Sequence, residues 1–198
     1  MKKMGLKAVV RAKKPHHPPA MGKPSSNLLQ RKFEASAPNL KWLTDVTEFK
    51  CAGKKLYLSP ILDLFNREII SYSLSHSPNS EMVGRMLEDA VSKLSGEKPL
   101  LHSDQGVLYR THDWRRRLKA AEMVQSMSRK GNCWDNAPME SFFAVLKTEC
   151  FHGRTFASLE ELEEEIRAYI HYYNHERCGL RLKNLSPVEY RTQVEMAA

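Results

Sequence analysis

Three carboxylates stand out by their surroundings. Asp45 lies in Trp42-Leu43-Thr44-Asp45-Val46-Thr47-Glu48-Phe49, Asp104 in Leu101-His102-Ser103-Asp104-Gln105-Gly106, and Glu140 in Asp135-Asn136-Ala137-Pro138-Met139-Glu140-Ser141-Phe142-Phe143. The first two close short apolar runs of strand character, and the third falls in the opening turns of a segment of helix character. Thirty-five residues separate Asp104 from Glu140. Brought together, three such groups repel one another unless divalent cations neutralise them. Hard oxygen donors suit Mg²⁺, which keeps part of its water shell and bridges phosphates. The pattern therefore points to metal-assisted phosphoryl transfer on nucleic acid.

Each acid alone is weak evidence, because an Asp at a strand end more often forms a turn or a cap. Asp63, after another apolar run, reads as structural. Glu48 falls two positions off the inward face, and Asp135 reads as a capping residue.

The elements that must position these groups follow from periodicity. Strands are expected over Lys41–Phe49, Lys55–Leu64 and Glu68–Leu74, with Phe65-Asn66-Arg67 as a tight connection. Val83, Leu87, Ala90, Val91 and Leu94 recur at helical spacing, so Asn79–Leu94 is read as a helix, with Pro78 placed in its first turn. A short strand, Pro99–His102, delivers Asp104; a helix over His112–Ala121 and a strand over Met123–Met127 follow. Ser128–Asn136 is a polar loop, and Asn136 is expected to cap a helix running to about Cys150. Ser158-Leu159-Glu160-Glu161 has capping-box spacing before the stripe Leu159, Leu162, Ile166, Tyr169, Ile170, Tyr173. Ser186-Pro187 opens a last short helix. Three strands in meander order, then alternating helices and strands, imply an α/β fold with a mixed sheet covered on both faces. Ligands gather at strand-end loops in such sheets.

Charge divides the 198 residues sharply. Of 31 basic residues, nine fall within 1–32, which holds no acid; the remainder carries 22 basic against 23 acidic residues. Such an arm binds polyanions by counterion release, although the same composition suits a solvated tail. Residues 15–27, with four prolines, read as an extended linker. No apolar run approaches a membrane span and no signal peptide is visible, so a cytoplasmic protein without membrane partners is expected. Cys51, Cys133, Cys150 and Cys178 are too scattered for a disulfide framework. His171, His175 and Cys178 have zinc-compatible helical spacing, but Gly179 ends the helix and no fourth ligand stands out, so they are read as polar surface or DNA-facing residues.

Seven ordered stretches carry a resemblance. They are 42–49, Leu62-Asp63-Leu64-Phe65-Asn66-Arg67-Glu68-Ile69-Ile70, His102-Ser103-Asp104-Gln105-Gly106, Ser126–Ala137, Glu140–Glu149, Tyr172-Tyr173-Asn174-His175-Glu176-Arg177 and Leu185-Ser186-Pro187-Val188-Glu189-Tyr190-Arg191. Together these resemble bacterial insertion-sequence transposases of the IS-three type, whose second open reading frame (OrfB) carries an integrase-like core. The resemblance implies an RNase H-like fold with a five-stranded mixed sheet. It also implies a DDE triad falling on Asp45, Asp104 and Glu140, with two Mg²⁺ or Mn²⁺ ions as cofactor and Asp45 shared between them. The expected division is a basic arm over 1–32, a catalytic core over 33–155 and a helical extension over 156–198. The N-terminus looks like the tail of a helix-turn-helix-type segment, so a truncated end-binding module is expected.

The activity so implied is metal-dependent DNA cleavage and strand transfer during transposition, on insertion-sequence ends and target DNA. A homo-oligomer assembled on DNA, an upstream-frame OrfA-type partner and a nucleoid-associated bacterial location belong to the same expectation. Lys147, at i+7 from Glu140, shares its helix face and is expected on a phosphate; Arg129, Lys130 and Asn132 form a loop expected to grip DNA; Arg177 is a further DNA contact. Two alternatives stand beside this reading: an RNase H-like nuclease without strand transfer, and a non-catalytic DNA-binding remnant that regulates intact transposase. The absence of GxxxxGK[ST] removes a P-loop ATPase.

Overall fold

Alternation of apolar and polar residues over 41–75 builds a meander whose strands bury side chains on both faces. The computed structural model describes residues 22–196. Its strands are β1 (Lys41–Thr44), β2 (Thr47–Cys51), β3 (Lys54–Asp63), β4 (Ile69–Ser75), β5 (Leu100–Ser103) and β6 (Val124–Met127). The helices are α1 (Ser80–Ser92), α2 (His112–Ala120), α3 (Ala137–Leu146), α4 (Leu159–His175) and α5 (Pro187–Met196). A single π-helical turn, Lys147–Phe151, continues α3.

β3 pairs antiparallel with β4 on one side and with β1 and β2 on the other. β1 then pairs parallel with β5, and β5 parallel with β6. The mixed sheet is as expected. The strand read over Lys41–Phe49 is interrupted at Asp45-Val46, where the Val46 N–H turns to Asp45 Oδ1 at 2.7 Å. Five rows are therefore occupied by six strands.

Period-2 alternation splits β3 between two cores. Leu56, Leu58 and Leu62 join α3 and α4 in one, through Phe142, Leu146, Leu162, Ile166 and Ile170. Ile61 and Trp42 join α1 and α2 in the other, with Met86, Leu87, Trp114 and Leu118. Helices thus cover both faces. Asn79 caps α1 by accepting from the Met82 N–H at 2.9 Å, which leaves Pro78 just outside the helix rather than in its first turn. Ser158 caps α4 from the Glu161 N–H at 3.2 Å. Asp63 is fully buried, accepts from the Asn39 N–H at 2.8 Å and pairs with Arg191 at 2.6 Å, so its role is to tie α5 to the sheet.

The described part of the arm does not stand away from the core. Ser26 accepts from the Met127 N–H at 3.3 Å along the outer edge of β6, and Leu29 is buried in the α3–α4 cluster. A segment laid on an edge strand also protects it from pairing with another chain.

Candidate active site

β1 and β5 run parallel in the register Leu43↔His102. Each strand ends one residue later, and its next residue is an Asp. Asp45 and Asp104 therefore leave the carboxyl ends of adjacent strands side by side, where the sheet opens a crevice. Both are half-buried. Each spends one oxygen locally, Asp45 Oδ1 on Val46 N–H and Asp104 Oδ1 on Gly106 N–H at 2.8 Å. The Gly106 turn leaves no room for a side chain, since a Cβ there would lie 2.7 Å from Asp104 Oδ1.

The electrostatics show how the charges meet. Burial pushes the Asp45 carboxyl up to about 7, the Asp104 carboxylate adds to the rise, and Glu140 contributes further. Burial also raises Asp104, against the pull of the Gly106 N–H. Glu140, on the first turn of α3, is exposed. The three carboxylates share one field, but among the described residues no three ligands are already closed to metal-binding distance. The donor set is three hard oxygens with uncompensated charge, and it fits a divalent cation.

The support beneath the acids was not apparent from sequence. His102 is fully buried between Ser126 Oγ at 2.8 Å and Ser128 Oγ at 3.0 Å, and burial lowers its pKa to about 4, so it is neutral. Ser126 on β6 and Ser128 just past its end, two apart, both reach His102, and this period-2 spacing is the signal that could have paired them with it. Tyr109 is buried with its hydroxyl 3.3 Å from Thr44 Oγ1, and burial with the nearby Asp45 raises its pKa strongly.

Asp135 is the largest departure from expectation. It is fully buried and accepts from Arg129 N–H at 3.0 Å, Arg129 Nη2 at 2.8 Å, Arg31 Nε at 2.8 Å and Asn27 Nδ2 at 2.9 Å. Hydrogen bonding from Arg129 holds its carboxylate well below the usual range. It clamps the loop before Glu140 to the arm, rather than capping a helix. Asn136 stands at the N-cap position of α3 as expected but makes no side-chain cap bond: its Nδ2 donates instead to Thr44 O at 3.4 Å, tying the start of α3 to the end of β1. Arg129 is local to Asp135, but no short-range signal could show the contacts to Arg31, Asn27 and Thr44, whose partners lie about a hundred residues away.

The residues expected on DNA are placed as follows. Arg129 is paired with Asp135, and Asn132 accepts from Arg31 Nη2 at 2.8 Å. Lys130 is exposed on the same turn, beside Trp134, whose 68% exposure is unusual for a tryptophan. Lys147 Nζ stands 5.5 Å from the centroid of the Phe49 ring. Arg177 forks onto Glu149, Nη2 to Oε1 at 2.8 Å and Nε to Oε2 at 3.0 Å, so its charge is matched within the chain. His171 and His175 stack with ring centroids 4.5 Å apart, while Cys178 lies past the end of α4 and donates to Glu176 O. No metal-ligating group forms there among the described residues.

Two acids thus leave the ends of adjacent parallel strands, and a third stands on a helix that covers the sheet. Two family models described as integrase core domains match residues 35–133 and 140–194. The core of the HTLV-2 integrase, solved in complex with magnesium, superimposes with a TM-score of 0.62 at 18% identity, covering 79% of this chain and 99% of that one. A chain of the simian T-cell lymphotropic virus intasome gives 0.64 at 16% identity, covering 84% of this chain and 56% of that one. The fold is RNase H-like.

Among sequence relatives, an uncharacterized transposase-like protein of Haemophilus influenzae is 58% identical over 173 residues, 87% of this chain and 80% of its own. The putative transposase InsK of insertion element IS150 from Escherichia coli is 50% identical over 195 residues, 98% of this chain and 69% of its own. Transposase InsF of IS3A, also from Escherichia coli, is 36% identical and is covered over 59% of its length. The chain belongs to the IS3 family of insertion-sequence transposases, DDE-type polynucleotidyl transferases with an integrase-like core. No helix among the described residues is long and apolar enough to cross a membrane.

Proposed function

We propose that Asp45, Asp104 and Glu140 are the catalytic triad and hold two divalent cations, Mg²⁺ or Mn²⁺, against the phosphodiester of an insertion-sequence end. The observation that carries this is the pair of half-buried acids at the ends of β1 and β5, with Glu140 adding to the negative field at Asp45. Bound cations would supply charge neutralisation at the reacting phosphate and activation of the attacking water or 3′-hydroxyl.

The chain's own residues do the rest. Asp45, which feels the charge of both Asp104 and Glu140, would hold a cation together with either of them. Val46 N–H and Gly106 N–H each fix one carboxylate oxygen and leave the other without a hydrogen-bond partner among the described residues. Neutral His102 brings no competing positive charge beneath Asp104, and it braces β5 against β6. Asp135, through Arg129 and Arg31, sets the loop from which α3 presents Glu140. Exposed Lys130 and Trp134 on that loop, with Lys147 further along the helix, are the DNA-facing groups, Trp134 by stacking on a base. Arg129, Asn132 and Arg177 act through the fold, since their partners are already engaged within it. Assembly as a homo-oligomer on paired DNA ends in the bacterial cytoplasm, with an upstream-frame partner, completes the reading.

The test is strand joining on a pre-nicked oligonucleotide carrying the element's own end, with Mn²⁺ and then Mg²⁺. Asp104→Asn keeps the shape and removes one charged ligand. It should abolish joining while the far-UV spectrum and melting transition persist. Joining at wild-type rate by Asp104→Asn would overturn the assignment.

A further inference from the structure

A second site lies on the far side of α3. Pro138, Ser141, Phe142 and Val145 sit at 3.6-residue spacing on the face opposite Glu140, and with the 177–187 segment they wall a groove of about 700 Å³. That size falls within the roughly 300–1,000 Å³ range of ligand sites.

Its charge is one-sided. Arg67, Arg177 and Arg181 line it, and no Asp or Glu does. Arg177 is neutralised by Glu149. Arg67 is not: it is half-buried, its Nη2 donates only to Phe33 O at 3.2 Å, and its Nη1 is buried without a partner among the described residues. Arg67 is held there by a left-handed turn, φ 66°, closed by its N–H on Asp63 O at 2.9 Å. Burial lowers the Arg67 pKa, and the neighbouring Arg181 lowers it further. Asp63 and Glu34 offset this only in part, and neither arginine forms an ion pair among the described residues, so the two like charges are costly to keep together unless an anion completes them. Beside them the wall is apolar, with Phe33, Pro138 and a Leu180 that is 91% exposed.

We infer that this groove binds an unpaired nucleotide of a DNA strand, with its phosphate on exposed Arg181 in front of Arg67 and its base against Phe33, Pro138 and Leu180. A cationic track beside apolar faces is the pattern of single-strand binding, and a duplex would keep its bases out of such a wall. The choice of DNA over another anion rests on the transposase reading; the site itself is separate from the carboxylates.

The test needs no catalysis and is run on the full chain in EDTA, so it is independent of the metal-site assignment. Fluorescence anisotropy follows a labelled single-stranded oligonucleotide and a duplex of equal length. Arg181→Gln should weaken single-strand binding roughly tenfold and lower its salt slope by about 0.7, the signature of one lost phosphate contact. Arg181→Lys should recover most of it. Inorganic phosphate should raise the melting temperature of the wild type and not that of Arg181→Gln or Arg67→Gln. Arg181 is exposed, so its variants fold even where Arg67→Gln does not. Unchanged single-strand affinity in Arg181→Gln, equal losses on duplex and single strand, or tighter binding of an acidic peptide than of the oligonucleotide would each overturn the proposal.

Discussion

Asp45→Asn should stabilise the metal-free protein, and only at high pH. Folding moves the Asp45 carboxyl from its ordinary 3.8 to about 7, because burial and the neighbouring Asp104 disfavour the charged form. In the window between those values the folded state binds more protons than the unfolded one, so stability falls as pH rises. The cost is absent below pH 3.8 and complete above about 7. The full shift corresponds to about 4 kcal/mol at 1.36 per tenfold. Asp45 keeps some solvent contact, which screens its charge, so about 2 kcal/mol is the expected effect. For a chain of this size that is roughly 4–8 °C in melting temperature.

Asn preserves the shape and can still accept from Val46 N–H, so the substitution removes charge with little else. Denaturation in EDTA at pH 8.5 and pH 4.5 measures it. The variant should exceed the wild type by about 2 kcal/mol at pH 8.5 and by a small fraction of that at pH 4.5. Added Mg²⁺ should then raise the wild type and not the variant, through binding to the native state alone. A variant less stable than wild type at pH 8.5, or a gain independent of pH, would refute the reasoning that Asp45 sits in uncompensated negative potential.

Other substitutions probe the supports. Gly106→Ala should lower strand-joining activity at least tenfold by displacing the Asp104 carboxylate, with a stability change near 1 kcal/mol in chemical denaturation. Asp135→Ala unpairs Arg129, Arg31 and Asn27 from a fully buried acceptor and should cost about 1–3 kcal/mol, while Asp135→Asn costs less. Deleting residues 1–21 removes six Lys/Arg and should flatten the dependence of DNA affinity on salt. Deletion through residue 32 should also destabilise, because Leu29 and Arg31 go with it.

Local periodicity made most of the fold legible, because each strand and helix buries a face that repeats within its own few residues. It also placed Asp45 and Asp104 at strand ends. It could not show the interruption of the first strand at Asp45-Val46. Alternation runs on through Thr47 and Phe49 as if unbroken, and the break depends on one side-chain bond. Ion-pair partners were illegible for another reason. Arg177 finds Glu149 and Asp135 finds Arg31 only once the chain has folded, so the partners these cations hold within the protein were not visible in the sequence. Arg67 shows the converse: read as part of a tight turn, it is a cation whose buried Nη1 has no partner among the described residues.

These outcomes separate two kinds of arginine in a DNA-handling protein. One whose fork is filled by a buried carboxylate, as Arg129 by Asp135, contributes to the fold and offers a phosphate only what the carboxylate leaves. Its pairing also carries information. A strand pulling on Arg129 would loosen Asp135, and with it the arm at Arg31 and the loop leading to Glu140. One that is exposed and forms no ion pair among the described residues, as Arg181 beside Arg67, gains charge compensation from the ligand and loses nothing in the fold. Neutralising the first kind should therefore move stability and leave the salt slope unchanged. Neutralising the second should do the reverse. Arg129→Gln and Arg181→Gln, measured side by side for melting temperature and for the salt dependence of DNA affinity, place the two on opposite axes. If both fall on one axis, pairing within the chain does not decide which arginines reach DNA.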